Sequence, residues 1–264
     1  MMRLVHDASL PGARNMAIDE ALMESARQGD ITIRFYGWDP GCLSFGRNQA
    51  AAGHYDADAA TARGIDIVRR PTGGRAVYHC RELTYSVTAP ADAWGSLGYA
   101  YCRINRALAK GLQALGAPVA CAGERTGGAT PGPTARACFR DPLPGEVTAE
   151  GRKLIGSAQW RDGGALLQHG SILLANEQRV TEELRMTSRG PGSASRSDAH
   201  TGAIGLGDLM KAIPSMADLV GALRAGFETE FDIPVEAGSL GKPELEAVAR
   251  LIDRYEDPTW TWRR

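Results

Sequence analysis

Hydrophobic positions along the chain repeat first at helical and then at strand spacing. Asn15–Gln28 (NMAIDEALMESARQ) sets Ile18, Ala21, Leu22 and Ser25 on one face ahead of Gly29, a C-terminal stop, which predicts a helix. ITIRFYGW alternates Ile31, Ile33 and Phe35 with Thr32, Arg34 and Tyr36; CLSFG, IDIVRR, AVYH and ELTYSVT add short β-rich runs bounded by glycine and proline. These runs predict a sheet. From Tyr99 to Leu115, Ile104, Leu108, Leu112 and Leu115 recur at helical spacing before the strand-like PVACAG, so this helix is expected to cover the sheet. GRKLIGSAQWR and ALLQHGSILL predict a hairpin through Asp162-Gly163-Gly164, whose glycines permit the positive φ of a tight turn.

The C-terminal part, 215–255, reads as helical: Ser215 and Asp218 form a capping box ahead of Leu219, Val220, Leu223 and Phe227, and Pro243 suits the first turn of a last helix ending near Tyr255. Two stretches lack periodicity. Cys121–Ala137 is rich in Gly, Pro and Thr and reads as a long surface loop; a polar loop or linker is expected at about 187–203. Strands and helices intermix without regular βαβ alternation, which favours an α+β fold with a mixed or antiparallel sheet over a doubly wound one.

Composition narrows the function classes. With 264 residues, 43% of them hydrophobic, the chain can bury an ordinary core, and a formal net charge of -1 gives no global attraction to nucleic acid or to an anionic membrane. No segment approaches the roughly 20 apolar residues that cross a bilayer, and a cytoplasmic protein is expected. The five cysteines (Cys42, Cys80, Cys102, Cys121 and Cys138) include no C-x-x-C pair, which argues against a disulfide framework or a zinc site and leaves reduced thiols.

Candidate chemistry begins at RRPTGGRAVYH, Arg69 to His79. The stretch fits neither G-x-x-x-x-G-K-[ST] nor G-x-G-x-x-G, and a strand rather than a helix follows it, so a nucleotide-phosphate role loses support. It is either a tight turn between strands or a backbone wall for another ligand, and the arginines on both sides favour the ligand. Cys138, in ARACFRDP, lies close to Arg136 and Arg140, whose charge would favour a thiolate if they face the sulfur; otherwise it is a small buried residue, as expected for Cys42 and Cys102. Cys80 is the alternative nucleophile. Lys153 opens KLIGSAQW, where strand alternation would place it on one face with Ile155 and Ser157; it is either solvated or aimed into a pocket. His169, in QHG, is either a base or a histidine paired within the sheet.

Taken together, RRPTGGRAVYH, ELTYSV, ACF, EGRKLIGSAQWR and LLQHGSILL resemble in order and spacing the lipoate and biotin protein ligase superfamily, and within it the cysteine-dependent octanoyltransferases similar to lipoate-protein ligase A. The resemblance runs from AIDEAL to YEDPTWTW and implies one catalytic domain over 1–264, a mixed α/β fold whose mixed sheet is packed by helices. It also implies placement of an octanoyl or lipoyl group on a lysine of a lipoyl domain. Ligases of this kind use ATP to make an acyl-adenylate, and their glycine motif commonly has a third glycine and ends in His-Asp. Here the motif is T-G-G-R and Cys80 follows His79, so Arg75 points to the transferase branch, which needs no cofactor; ATP and Mg belong only to the ligase alternative.

The resemblance maps the nucleophile onto Cys138 and the catalytic lysine onto Lys153. It assigns substrate binding to Arg70, Gly73, Gly74, Arg75 and His79 on the glycine stretch, and to Gly156, Ser157, Ala158, His169 and Gly170 on the hairpin. The implied partners are octanoyl-acyl carrier protein as donor and, as acceptor, a lipoyl domain such as the glycine-cleavage H protein or a 2-oxoacid dehydrogenase E2. No nucleic acid, membrane or metal is expected. A non-catalytic acyl-binding or lipoyl-domain-binding module on the same fold is the reading from another class.

Overall fold

A computed structural model describes residues 1–122, 145–186 and 202–264. The first half contains β1 (Met2–Leu10), α1 (Gly12–Ala26), β2 (Thr32–Trp38), β3 (Cys42–Phe45), α2 (Ala57–Ala62), β4 (Asp66–Arg69), β5 (Val77–His79), β6 (Glu82–Pro90), α3 (Leu97–Ala114) and β7 (Ala120–Cys121). The second contains β8 (Val147–Ala149), β9 (Arg152–Lys153), β10 (Ile155–Asp162), β11 (Ala165–Leu173), α4 (Arg179–Glu183), α5 (Leu206–Leu209), α6 (Met216–Phe231), β12 (Val235–Gly238), α7 (Lys242–Glu256) and α8 (Pro258–Thr261).

Among the described residues the main sheet has the order β10-β11-β6-β2-β1-β12. β12, β1 and β2 run parallel, whereas β2, β6, β11 and β10 are antiparallel neighbours. The sheet is therefore mixed, as the irregular alternation of elements predicts. Smaller sheets, β4-β3-β5 and β7-β8-β9, flank it.

Period-2 alternation sorts the main strands into two unlike faces. Leu83, Tyr85 and Val87 of β6 join Ile33 and Phe35 of β2 under α3 and α6, which contribute Ile104, Leu108, Leu112, Leu219, Leu223 and Phe227 to one apolar core. The intervening residues Thr84, Ser86, Arg34 and Tyr36, with His169 and Ser171 of β11, are equally buried but polar. They face α1 and the small sheet built on β3.

Several expectations are met. The hairpin turns at Gly163 (φ 54°) and Gly164 (φ 87°), and Ser215 Oγ accepts the Asp218 amide at 3.2 Å to cap α6. Others are corrected. Lys153 does not share a strand with Ile155 and Ser157: it lies on β9, antiparallel to β8, and the chain passes into β10 only after Leu154. PVACAG contracts to the two residues of β7, while the short β8 lies within PLPGEVTAE. The C-terminal helical stretch is interrupted by β12, and α8 follows the helix expected to be last.

Most of the two stretches read as loops lies outside the described residues. The end of the second, at Gly202 and Ala203, is not a free linker. Lys153 N–H donates to Gly202 C=O at 2.6 Å, Ile204 N–H donates to Lys153 C=O at 3.0 Å, and Ala203 is buried.

Candidate active site

Between the polar face and the small sheet lies a narrow pocket, about 380 Å³ with the open solvent at its mouth included and about 30 Å³ in the space open to the centre of a water molecule. The hairpin forms one wall through Gly156, Ser157 and Ala158 of β10 and His169, Gly170 and Ser171 of β11. Met16 of α1, Tyr36 and Trp38 of β2 and Val77 of β5 supply bulk, while Ser44, Arg70, His79 and Thr84 complete the lining. Seven residues expected from the sequence thus converge: Arg70, His79, Gly156, Ser157, Ala158, His169 and Gly170.

Gly73, Gly74 and Arg75 do not line this pocket; Arg70 ties their loop to it. The Arg70 guanidinium donates to Gly73 C=O at 3.1 Å and Arg75 C=O at 2.6 Å, and on its other side to Ser44 C=O at 3.0 Å and Ser44 Oγ at 2.9 Å. Gly74 adopts φ 94°, and a Cβ at Gly46 would stand 2.0 Å from Gly74 C=O, so two backbones touch here. Arg69 serves a different neighbourhood. It donates to Thr261 C=O at 2.9 Å and Gly46 C=O at 2.6 Å, and burial, reinforced by nearby arginines, pulls its pKa to about 10.

Both site histidines are buried in hydrogen-bonded chains. His79 stacks on Trp38 with centroids 4.1 Å apart and 14° between planes; its Nε2 lies 2.7 Å from Ser44 Oγ and its Nδ1 2.8 Å from Glu82 Oε1. Thr84 and Ser171 hydroxyls also donate to that carboxylate oxygen, at 2.6 and 2.7 Å. His169 Nδ1 lies 2.9 Å from Asp19 Oδ2 and its Nε2 2.6 Å from Thr72 Oγ1. Burial lowers the His169 pKa and outweighs the pull of Asp19. For Asp19, burial acts against ionisation, but the His169 hydrogen bond and the Arg34 guanidinium prevail and hold the carboxyl below its usual range. The lining therefore presents mostly carbon although many of its residues are polar, because their polar atoms are occupied by one another.

Lys153 is not solvated. It is 3% exposed, and its ammonium donates to the equally buried Glu146 at 2.6 Å; Tyr101 OH donates to the same carboxylate oxygen at 3.3 Å. It stands outside the pocket lining but only three residues before Gly156. Cys138 lies outside the described residues. Of the other cysteines, Cys42 is buried with its thiol pKa pushed well up by that burial, Cys80 is exposed, and Cys102 and Cys121 are half-buried. Among the described residues no cluster of three or more His, Cys, Asp or Glu side chains is placed to hold a metal ion.

Sequence reasoning missed Asp19, Ser44, Thr72, Glu82 and Glu146. Asp19 carried a usable signal: an acidic residue between Ile18 and Leu22 within the apolar pattern of α1.

A mixed sheet with one apolar face and one polar face opened into a slot, beside a buried lysine, defines this α/β domain. Solved structures share this fold. A bi-partite lipoate protein ligase from Thermoplasma acidophilum superposes with a TM-score of 0.79 at 22% identity, covering 99% of this chain and 96% of that one. A crystal structure of lipoate-protein ligase A bound with ATP gives 0.77 at 23% identity, covering 99% and 98%. The chain matches the lipoyl protein ligase A/B catalytic domain over residues 11–228 and belongs to that family. Its relatives include octanoyltransferase LipM of Kyrpidia tusciae, 39% identical with 99% of this chain and 98% of the relative covered, and octanoyltransferase LipM of Moorella thermoacetica, 38% identical with 95% and 93% covered.

Proposed function

We propose that this chain is an octanoyltransferase that takes an octanoyl group from acyl carrier protein onto Cys138 as a thioester and passes it to a lysine of a lipoyl domain. The observation that carries this reading is near-full-length identity of 33–39% to relatives named octanoyltransferase LipM. The slot adds support, since its lining presents mostly carbon and its hairpin wall lies next to Lys153.

In the first step the Cys138 thiolate attacks the donor carbonyl carbon, the carbon–sulfur bond to the phosphopantetheine breaks, and that thiol leaves with the proton Cys138 gave up. Lys153 favours the thiolate and stabilises the carbonyl oxygen as it gains charge, while Glu146 fixes the ammonium's position. In the second step the acceptor lysine, as the free amine, attacks the acyl-enzyme; the amide forms, the carbon–sulfur bond to Cys138 breaks, and the proton lost by the nitrogen goes to the leaving sulfur. Thioester to amide is downhill, so the scheme uses no ATP and no resident cofactor or metal. Acyl-chain contacts are assigned to Arg70, His79, Gly156, Ser157, Ala158, His169 and Gly170; Gly73, Gly74 and Arg75 form the loop behind them. The glycine-cleavage H protein and 2-oxoacid dehydrogenase E2 lipoyl domains have the chemistry of the acceptor. A cytoplasmic site of action fits these partners, and among the described residues no helix is long and apolar enough to cross a membrane.

Incubation with octanoyl-acyl carrier protein followed by intact-mass measurement tests the scheme. One octanoyl adduct is expected on the wild-type chain and none on Cys138→Ser. Loss of the Lys153 charge in Lys153→Met should slow adduct formation by about 10²–10³-fold. An adduct that survives Cys138→Ser, or lipoylation from free lipoate and ATP that is indifferent to Cys138→Ala, overturns it in favour of another nucleophile or of a ligase.

A further inference from the structure

One hydrogen-bonded chain on the polar face enters the scheme above only through the His169 ring at the slot wall; its other two members, Asp19 and Thr72, have no part in it. Asp19 on α1, His169 on β11 and Thr72 on the glycine loop lie far apart in sequence yet are joined by contacts of 2.9 and 2.6 Å, and all three are buried. We infer that Asp19 and His169 are positioning residues: they fix the direction of this chain so that Thr72 must donate to His169, which anchors the glycine loop beside the slot. The inference rests on the reading of the slot as the octanoyl site and adds to it the device that sets the wall in place.

The proton directions follow from donor and acceptor counts. Asp19 Oδ1 accepts from Arg34 at 2.9 Å and Ser86 Oγ at 2.8 Å, and Oδ2 accepts from Tyr36 OH at 2.9 Å. An ionised carboxylate only accepts, so His169 Nδ1 must carry a hydrogen. In the neutral ring Nε2 is then a bare acceptor, and the hydrogen between it and Thr72 belongs to the threonine. Arg34 is itself held by Asp7 at 2.7 Å and Asn15 Oδ1 at 2.8 Å, so the anchor reaches back to β1 and α1.

At the other end, Thr72 C=O accepts from Arg47 N–H at 2.8 Å, and the next residue, Gly73, is held by Arg70. The loop is thereby gripped by two residues that both line the slot, Arg70 and His169. Because the His169 Nε2 lone pair is occupied, His169 is not free to take the proton released by the acceptor lysine. The geometry makes it a support rather than a base.

Long-range nitrogen–proton correlation spectra of the histidines in the intact chain report the tautomer directly. His169 is expected with hydrogen on Nδ1 and none on Nε2. Thr72→Val should keep that tautomer and raise KM for octanoyl-acyl carrier protein by about 3- to 10-fold, the equivalent of one neutral hydrogen bond, with kcat little changed. Thr72→Ser should restore it. Asp19→Asn, whose amide can donate to Nδ1, should move the hydrogen to Nε2; if that variant does not fold, the Thr72 pair decides. Hydrogen on Nε2 in the wild type, an unchanged KM in Thr72→Val, or a Thr72→Ser no better than valine overturns the inference. A wild-type chain that forms no octanoyl adduct overturns the proposed function, yet the histidine spectrum still decides the anchor.

Discussion

The two faces of the main sheet are both buried, yet they are built from opposite materials. Under α3 and α6 the strands present Ile33, Phe35, Leu83, Tyr85 and Val87; toward α1 the alternate positions of the same strands present Arg34, Tyr36, Thr84 and Ser86. The apolar face is stabilised chiefly by burial, at roughly 25 cal/mol per Å² removed from water, with a directional match at Tyr85, whose OH accepts from Gln168 at 2.8 Å. The polar face must satisfy each donor and acceptor or lose stability. It does so around Asp19, whose two oxygens accept from four side chains, and around Glu82 Oε1, which takes three. Glu82 Oε2 and Thr88 Oγ1 are exceptions, with no partner among the described residues. One face makes the domain stable; the other is fixed in geometry and leaves a slot.

That contrast can be broken most severely at the polar hub. Asp19→Ala removes one of the two carboxylates paired with the buried Arg34 and takes an acceptor from Tyr36, Ser86 and His169 at once, so urea denaturation should show a loss of about 3–5 kcal/mol. Activity per folded molecule should fall with it. On the apolar face the corresponding test is the crossing of α3 and α6, where a Cβ at Gly226 would lie 2.3 Å from Ala107 C=O. Gly226→Ala should cost about 1–3 kcal/mol by forcing the helices apart, with the rate of octanoyl adduct formation unchanged per folded molecule. A Gly226→Ala variant with normal stability but impaired chemistry would reverse the roles assigned to the two faces.

A finer difference lies in pH dependence. The folded His169 pKa is lowered chiefly by burial, so below its ordinary value of about 6.5 the unfolded chain takes up a proton that the folded chain refuses. Stability contributed by keeping this histidine neutral is therefore present above that pH and is lost as pH falls, with a slope of at most about 1.4 kcal/mol per pH unit. His169→Gln should flatten the slope between neutral and mildly acidic pH. Asp19, whose folded pKa is lowered, contributes in the same direction but at more acidic pH, below its ordinary value near 3.9. Denaturation midpoints measured across pH for wild type and His169→Gln separate the two.

Much of the fold could be read from local pattern because local pattern caused it. Alternation in ITIRFYGW and ELTYSVT became β2 and β6, Gly163-Gly164 became the hairpin turn, and the Ser215 cap opened α6. β1 and β12 were not anticipated, since parallel strands are completed by partners distant in sequence: Met2 pairs with Val235. Lys153 was assigned to the wrong strand because KLIGSAQW carries no local sign of the break at Leu154, which tertiary pairing with Val147 and Leu173 imposes. In the site, residues on regular strands converged on the slot, whereas Gly73, Gly74 and Arg75 stand behind Arg70, a distinction made by side-chain direction and not by motif.

The sequence by itself determined which residues alternate, where the chain turns and caps, and which motifs resemble an acyl-transfer family, because these depend on near neighbours and on residue chemistry. Only the tertiary structure decided that half of the alternating positions form a polar layer, that Lys153 is buried against Glu146, and that Asp19, His169 and Thr72 meet. Those outcomes depend on hydrogen bonds between residues separated by as many as 150 positions, and burial makes each such bond costly to leave unmade.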